Sequence, residues 1–116
     1  MPKSISELTA LVTSFRDARN WRQFHNPKDC AISLQLEATE VLEHFQWRNG
    51  DALTKYLAEH KSDVADELAD VFYWVLLMTH DLGIDLSDAF ERKLAKNGEK
   101  YPVEKSMGSA VKYTEL

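Results

Sequence analysis

The stretch D-V-A-D-E-L-A-D-V-F-Y-W-V-L-L-M-T-H-D-L, Asp63 to Leu82, decides the fold. Its second half, Val71 to Met78, carries no charge on any side. A helix apolar all round lies buried, either in a bundle or in an interface between copies. The first half differs. Asp63, Glu67, Asp70 and Trp74 recur at i, i+4, i+7 and i+11, which places carboxylates and an indole on one stripe beside that apolar segment.

Upstream, L-Q-L-E-A-T-E-V-L-E-H-F-Q-W, Leu34 to Trp47, adds Glu37 and Glu40 at i, i+3. If E-x-x-E and E-x-x-D face one cleft, their like charges repel, and a bound divalent cation would remove the repulsion. Hard oxygen ligands without a cysteine or a histidine at ligand spacing favour Mg²⁺, with Mn²⁺ as a substitute, over zinc. Glu43 falls about 120° round the helix from Glu37 and is an outer ligand at most. His44 follows Glu40 by four residues, but the E-x-x-H of carboxylate-bridged iron bundles is absent, so a di-iron or di-manganese redox bundle is the weakest reading. The bland alternative is that both acidic pairs are solvated surface of a non-catalytic helical interaction module.

Around these two segments the sequence predicts an all-α fold of four main helices, a single domain over residues 1–116, with the bundle completed by oligomerisation. Ser4 and Glu7 form a capping box for a first helix over about 5–19. The connection R-N-W-R-Q-F-H-N-P holds Trp21, Phe24 and His25, either as a plug over the bundle end or as part of a pocket. A second helix is expected from about Pro27 to Trp47, with Ala31, Leu34, Ala38, Val41 and Phe45 as its apolar stripe and Asn49-Gly50 as its stop. Trp47 reads either as a core cap or as a ring-stacking residue. Residues 51–61 suggest a short helix or an ordered connector, Ser62 a cap for the central helix, and Gly83 its terminator. Asp85 or Ser87 then caps a last helix over about 86–97, ended by Asn97-Gly98, and residues 102–116 read as an ordered extended tail. Lys93, Lys96, Asn97, Lys100 and Tyr101 make a basic and polar run, either a solvated helix end or a phosphate clamp.

The net charge of −5 argues against binding a nucleic-acid backbone. No apolar run approaches the roughly 20 residues needed to cross a bilayer. A lone Cys30 and a start without an apolar signal region favour a reducing cytoplasm.

L-E-A-T-E, the spacing to D-E-L-A-D-V, and N-G-E-K-Y-P resemble the all-α nucleoside triphosphate pyrophosphohydrolases of the MazG type. With N-W-R-Q-F-H-N-P, F-Q-W, K-Y-P-V and G-S-A-V-K-Y-T-E-L, the likeness is closest to the dCTP pyrophosphatases of that superfamily and covers nearly the whole chain. The resemblance implies Mg²⁺-dependent cleavage of a nucleoside triphosphate between the α and β phosphorus atoms, giving monophosphate and pyrophosphate, in a house-cleaning role on dCTP or modified pyrimidine deoxynucleotides. It further implies Glu37, Glu40, Glu67 and Asp70 as metal carboxylates and Trp21, His25 and Trp47 around the base, with Trp74 near the sugar or a phosphate. Lys93, Asn97, Lys100 and Tyr101 would face the phosphates, and the chain would form a homodimer or a tetramer of paired dimers with sites at subunit boundaries. Three positions depart from the usual pattern: Leu36 and Thr39 replace small glycines, and Trp74 replaces a tyrosine.

Overall fold

The computed structural model describes residues 1–116 and contains helices and turns but no strand. Six α-helices follow in order: α1 (Ile5–Ala18), α2 (Pro27–Glu43), α3 (Gly50–Glu59), α4 (Lys61–Asp81), α5 (Leu86–Lys100) and the single turn α6 (Val103–Ser106). The chain divides into two compact units, Met1–Gly83 and Ile84–Leu116.

In the first unit, α2 and α1 both pack on α4. Helix α1 opens with the expected capping box, the Glu7 amide donating to Ser4 Oγ at 3.2 Å and the Ser4 amide to Glu7 Oε1 at 3.0 Å. Asn26 caps α2 by accepting from the Asp29 amide at 2.9 Å, with Pro27 at the first helical position, where its missing N–H costs nothing. Helix α2 stops at Glu43, earlier than Trp47. The reason lies in Arg48, whose guanidinium donates to the His44 and Glu43 carbonyls at 2.9 and 3.3 Å, while Trp47 turns into the left-handed region with φ 67°. Residues 51–61 are helical for the most part, as α3. Helix α4 starts directly from His60, so Ser62 lies inside it and caps nothing. Gly83, with φ 67°, ends it as expected.

The packing face of α2 also differs from the expected stripe. Ala31, Ala38 and Phe45 are exposed, whereas Cys30, Leu34, Glu37, Val41 and His44 turn inward in steps of three and four. The periodicity survives, but shifted, so that Glu37 lies within the packed face and not beside it. On α4, only Leu76 and Leu77 of the apolar run are buried, and Phe72 remains 39% exposed. Ile32, Leu36 and Leu68 are likewise exposed. One chain alone leaves the segment partly uncovered.

In the second unit, Asp85 caps α5 by accepting from the Asp88 amide at 3.1 Å. The helix runs through Asn97 and Gly98 to Lys100, past the expected stop. Gly98 keeps helical dihedrals, since a glycine in helical conformation costs only about 1 kcal/mol against alanine. The break comes instead at Pro102, which has no N–H to continue the ladder. The tail is not fully extended: α6 and a 3₁₀ turn at Tyr113–Glu115 interrupt it.

Candidate active site

The antiparallel packing of α2 on α4 brings the two acidic pairs together. Glu37, Glu40, Glu67 and Asp70 each offer a ligand oxygen, all within 4.8 Å of one another. Asp63 and Glu43 are exposed and outside this group. Glu37 Oε2 and Glu67 Oε2 are buried and have no hydrogen-bond partner. A buried carboxylate oxygen without a donor is costly, and the one basic side chain paired with the four carboxylates is His44, 3.8 Å from Glu67 Oε1. Burial, followed by the charge and close approach of Glu40 and the charges of Asp70 and Glu67, raises the Glu37 carboxyl to about 6. Glu67 is also raised, chiefly by its contact with Glu40, then by burial and the Glu40 charge. Orphaned buried oxygens and carboxyls that resist ionisation are the pattern that a hard divalent cation relieves, so the donor set fits one.

Glu37 and Asp70 also line a cleft of about 470 Å³ together with Phe15, Trp21, His25, Tyr73 and Trp74. The aromatic wall is a chain of edge-to-face contacts: Trp21 on Phe15 at 5.8 Å, Phe15 on Tyr73 at 6.2 Å, Tyr73 on Trp74 at 5.1 Å and Trp74 on His25 at 5.2 Å between ring centroids. Trp21 and His25 come from the segment around the 3₁₀ turn Arg22–Phe24, so that segment is part of a pocket wall. His25 Nδ1 is buried without a partner, and burial with the nearby Arg16 and Arg22 charges lowers its pKa. The imidazole is therefore neutral at physiological pH and keeps hydrogen-bonding capacity unused. Phe15 and Tyr73 were not singled out in the sequence, because both sit within ordinary apolar stripes that read as core.

Beneath this wall lies an ion-pair network that the sequence also concealed. Arg16 is 1% exposed and forks onto Asp81 at 2.7 and 3.1 Å, while Arg22 donates to the same carboxylate at 3.1 Å. The Trp21 amide donates to the Arg16 carbonyl at 3.2 Å. The pocket-lining segment is thus fastened to both ends of a clamp between α1 and α4.

Trp47 is placed differently from Trp21 and His25. It is 89% exposed and does not line the cleft, so it caps no core. Lys93, Asn97 and Lys100 follow one stripe of α5 in the second unit, and Tyr101 closes that helix. There, Lys100 Nζ lies 4.8 Å from the Tyr113 ring centroid, and Tyr101 meets the same ring edge-to-face at 5.9 Å.

The dCTP pyrophosphatases 1 of Mus musculus and Rattus norvegicus are each 30% identical to this chain over 115 residues, covering 97% of it and 68% of their own length. The crystal structure of a pyrophosphatase from Archaeoglobus fulgidus superposes with a TM-score of 0.80 at 37% identity, over 88% of this chain and 95% of that one. The MazG-like family matches residues 32–116, a span that includes both acidic pairs, and the chain belongs to that family.

Proposed function

We propose that the protein is a nucleoside triphosphate pyrophosphohydrolase that hydrolyses its substrate between the α and β phosphates, acts with Mg²⁺, and prefers dCTP or modified pyrimidine deoxynucleotides. The observation that carries this reading is the meeting of four carboxylates with an aromatic cleft, two of the carboxylates lining the cleft themselves. The names of the relatives support the same class of reaction. A cleft for a flat ring beside a site for a cation and phosphates is the division of labour that a nucleotide demands.

Glu37, Glu40, Glu67 and Asp70 would hold the cation, which when bound neutralises phosphate charge and acidifies water. The remaining work falls to the side chains. Trp21 and Trp74 hold the base by stacking and edge contacts, and the neutral His25 offers Nδ1 to its polar edge. One carboxylate of the Glu37 and Glu40 pair accepts the proton of the attacking water as the water oxygen bonds to the α phosphorus and the bond from that phosphorus to the bridging oxygen breaks. Lys93, Asn97, Lys100 and Tyr101 are assigned to the leaving pyrophosphate. The two units act as one domain in this reading, supported by a family match that runs across their boundary.

We assign the working form to a homo-oligomer in the cytoplasm. Exposed Leu68 and Phe72 on α4 and the outward Trp47 support a partner copy over this region. No helix is long and apolar enough to cross a membrane.

Turnover of all canonical and 5-substituted nucleoside triphosphates with Mg²⁺, with monophosphate and pyrophosphate quantified, tests bond and substrate together. The expected result is equimolar monophosphate and pyrophosphate, with kcat/KM for dCTP at least tenfold above dATP and dGTP. Release of inorganic phosphate from the γ position, or purines hydrolysed as well as dCTP, would overturn the reading.

A further inference from the structure

Beside the carboxylates, a second side-chain cluster has no part in the chemistry just described. His44, at the end of α2, is mostly buried and places Nδ1 2.7 Å from the Tyr56 hydroxyl of α3. Its other nitrogen, Nε2, faces Glu67 Oε1 at 3.8 Å. Tyr56 is itself held from both sides, stacked on His60 with centroids 4.0 Å apart and 15° between planes, and covered by the Arg48 guanidinium at 3.7 Å. The hydroxyl is therefore presented at a fixed point. Two tautomers of His44 are conceivable, and electrostatics separates them. With a proton on Nδ1, the Nε2 lone pair would point at the Glu67 carboxylate, a repulsive arrangement. With the Tyr56 O–H donating to Nδ1, the proton sits on Nε2 and its dipole faces Glu67 Oε1 favourably.

From this geometry we infer that His44, locked in its Nε2–H tautomer by Tyr56, is a positioning residue that engages Glu67 Oε1 and leaves Oε2, which is buried and unpartnered, free for a cation. The inference rests on the carboxylate site proposed above. It adds α3 to the helices that shape that site and gives a role to a histidine that no ligand spacing explains. Outer partners that fix a ligand's orientation typically change metal affinity by about 10- to 100-fold when removed.

The test is Mn²⁺ binding without nucleotide, followed by the electron paramagnetic resonance of the free ion. Wild type is expected to bind, and Glu40→Gln to lose binding. His44→Leu should raise Kd about tenfold, at the low end of that range. Tyr56→Phe, which keeps the ring stack and the guanidinium contact, should raise it by a smaller factor, and His44→Gln, whose amide N–H₂ dipole can face Glu67 as the imidazole N–H does, should recover part of the loss. Long-range ¹⁵N–¹H correlation of His44 should report the Nε2–H tautomer in wild type. Wild-type affinity in both His44→Leu and Tyr56→Phe, or an Nδ1–H tautomer, would overturn the inference while leaving the carboxylate site standing. Failure of wild type to bind Mn²⁺ in a manner that Glu40→Gln abolishes would remove the site and the inference with it. Should His44→Leu not fold, Tyr56→Phe alone decides.

Discussion

Replacing Asp81 with asparagine isolates the clamp that ties α1 and the pocket segment to α4. The two arginines share one carboxylate but differ in burial: the Arg16 side chain is 2% exposed and that of Arg22 59%. Removing the acceptor leaves the Arg16 guanidinium buried without its counter-charge, and breaking one side of a buried pair typically costs about 3–5 kcal/mol. Against a total stability of about 5–15 kcal/mol for such a domain, this is a large fraction, equivalent to a fall in Tm of roughly 10–20 °C. Arg22→Gln removes only an exposed contact to the same carboxylate and should cost less than about 1 kcal/mol. Urea unfolding at fixed protein concentration measures both, with the slope checked for constancy. The pH dependence carries a sign. Burial pushes Asp81 up, but the Arg16 hydrogen bond and the charges of Arg16, Arg22 and His80 outweigh it, so the folded carboxyl titrates below its ordinary value. Its contribution is therefore complete above about pH 4 and lost as pH falls through the folded value, so the gap between wild type and Asp81→Asn should close in acid. A loss below about 1 kcal/mol for Asp81→Asn, or equal losses for Asp81→Asn and Arg22→Gln, would refute the assignment of stability to burial.

Glu40→Gln and Asp70→Asn should each lower kcat at least about 100-fold, as losses within a group that acts as a unit do; full activity in both proteins would sink the metal assignment. Gly98→Ala should stabilise the protein by about 0.5–1 kcal/mol, because Gly98 is helical and its Cβ would meet no atom within 4 Å, whereas Gly83→Ala should destabilise it, because φ there is 67°. Thermal melts of the two variants should move in opposite directions. Light scattering should give at least twice the 13.3 kDa chain mass; an active monomer at micromolar concentration would refute the oligomer.

The all-helical fold was legible because each long helix carries its own punctuation. The Ser4 and Glu7 box, Asn26-Pro27, Asp85 and Gly83 all sit at ends that the structure keeps. The boundaries that were missed share a cause: a residue just beyond the expected end overrode the signal at it. Arg48 ends α2 before Trp47, and Gly98 stays helical because the break comes only at Pro102, four residues further on. The four carboxylates could be paired from spacing alone, since i, i+3 neighbours must share a face. The cleft could not. Trp74 could be placed on the stripe of Glu67 and Asp70, but Phe15 and Tyr73 reach the cleft from α1 and α4, and nothing in a one-dimensional period tells an aromatic in a cleft wall from one in a core. Arg16 and Asp81 were hidden for the same reason: a separation of 65 residues leaves no local trace of a pair.

Helix α4 orders these parts along its length. Glu67 and Asp70 stand in its first half, Tyr73 and Trp74 in the cleft wall next, Leu76 and Leu77 in the core beyond them, and Asp81 at its last residue. The carboxylates raise the energy of the folded chain by forcing like charges together, and α4 carries the compensation two to three turns away, in apolar burial and in the clamp on Arg16. Separation along one rigid helix keeps the two from interfering. Charges at the acidic end would be able to rearrange around a cation while the far end holds register, since Asp81 is occupied by Arg16 and Arg22 and the orphaned oxygens belong to Glu37 and Glu67. Trp74 stands between the halves, one turn from Asp70, and meets His25, whose segment the clamp fastens. The aromatic cleft wall is thus tied to the stable end of α4 and the four carboxylates to the strained end, so that in the proposed reading a substrate with both a ring and phosphates would meet the helix where its character changes.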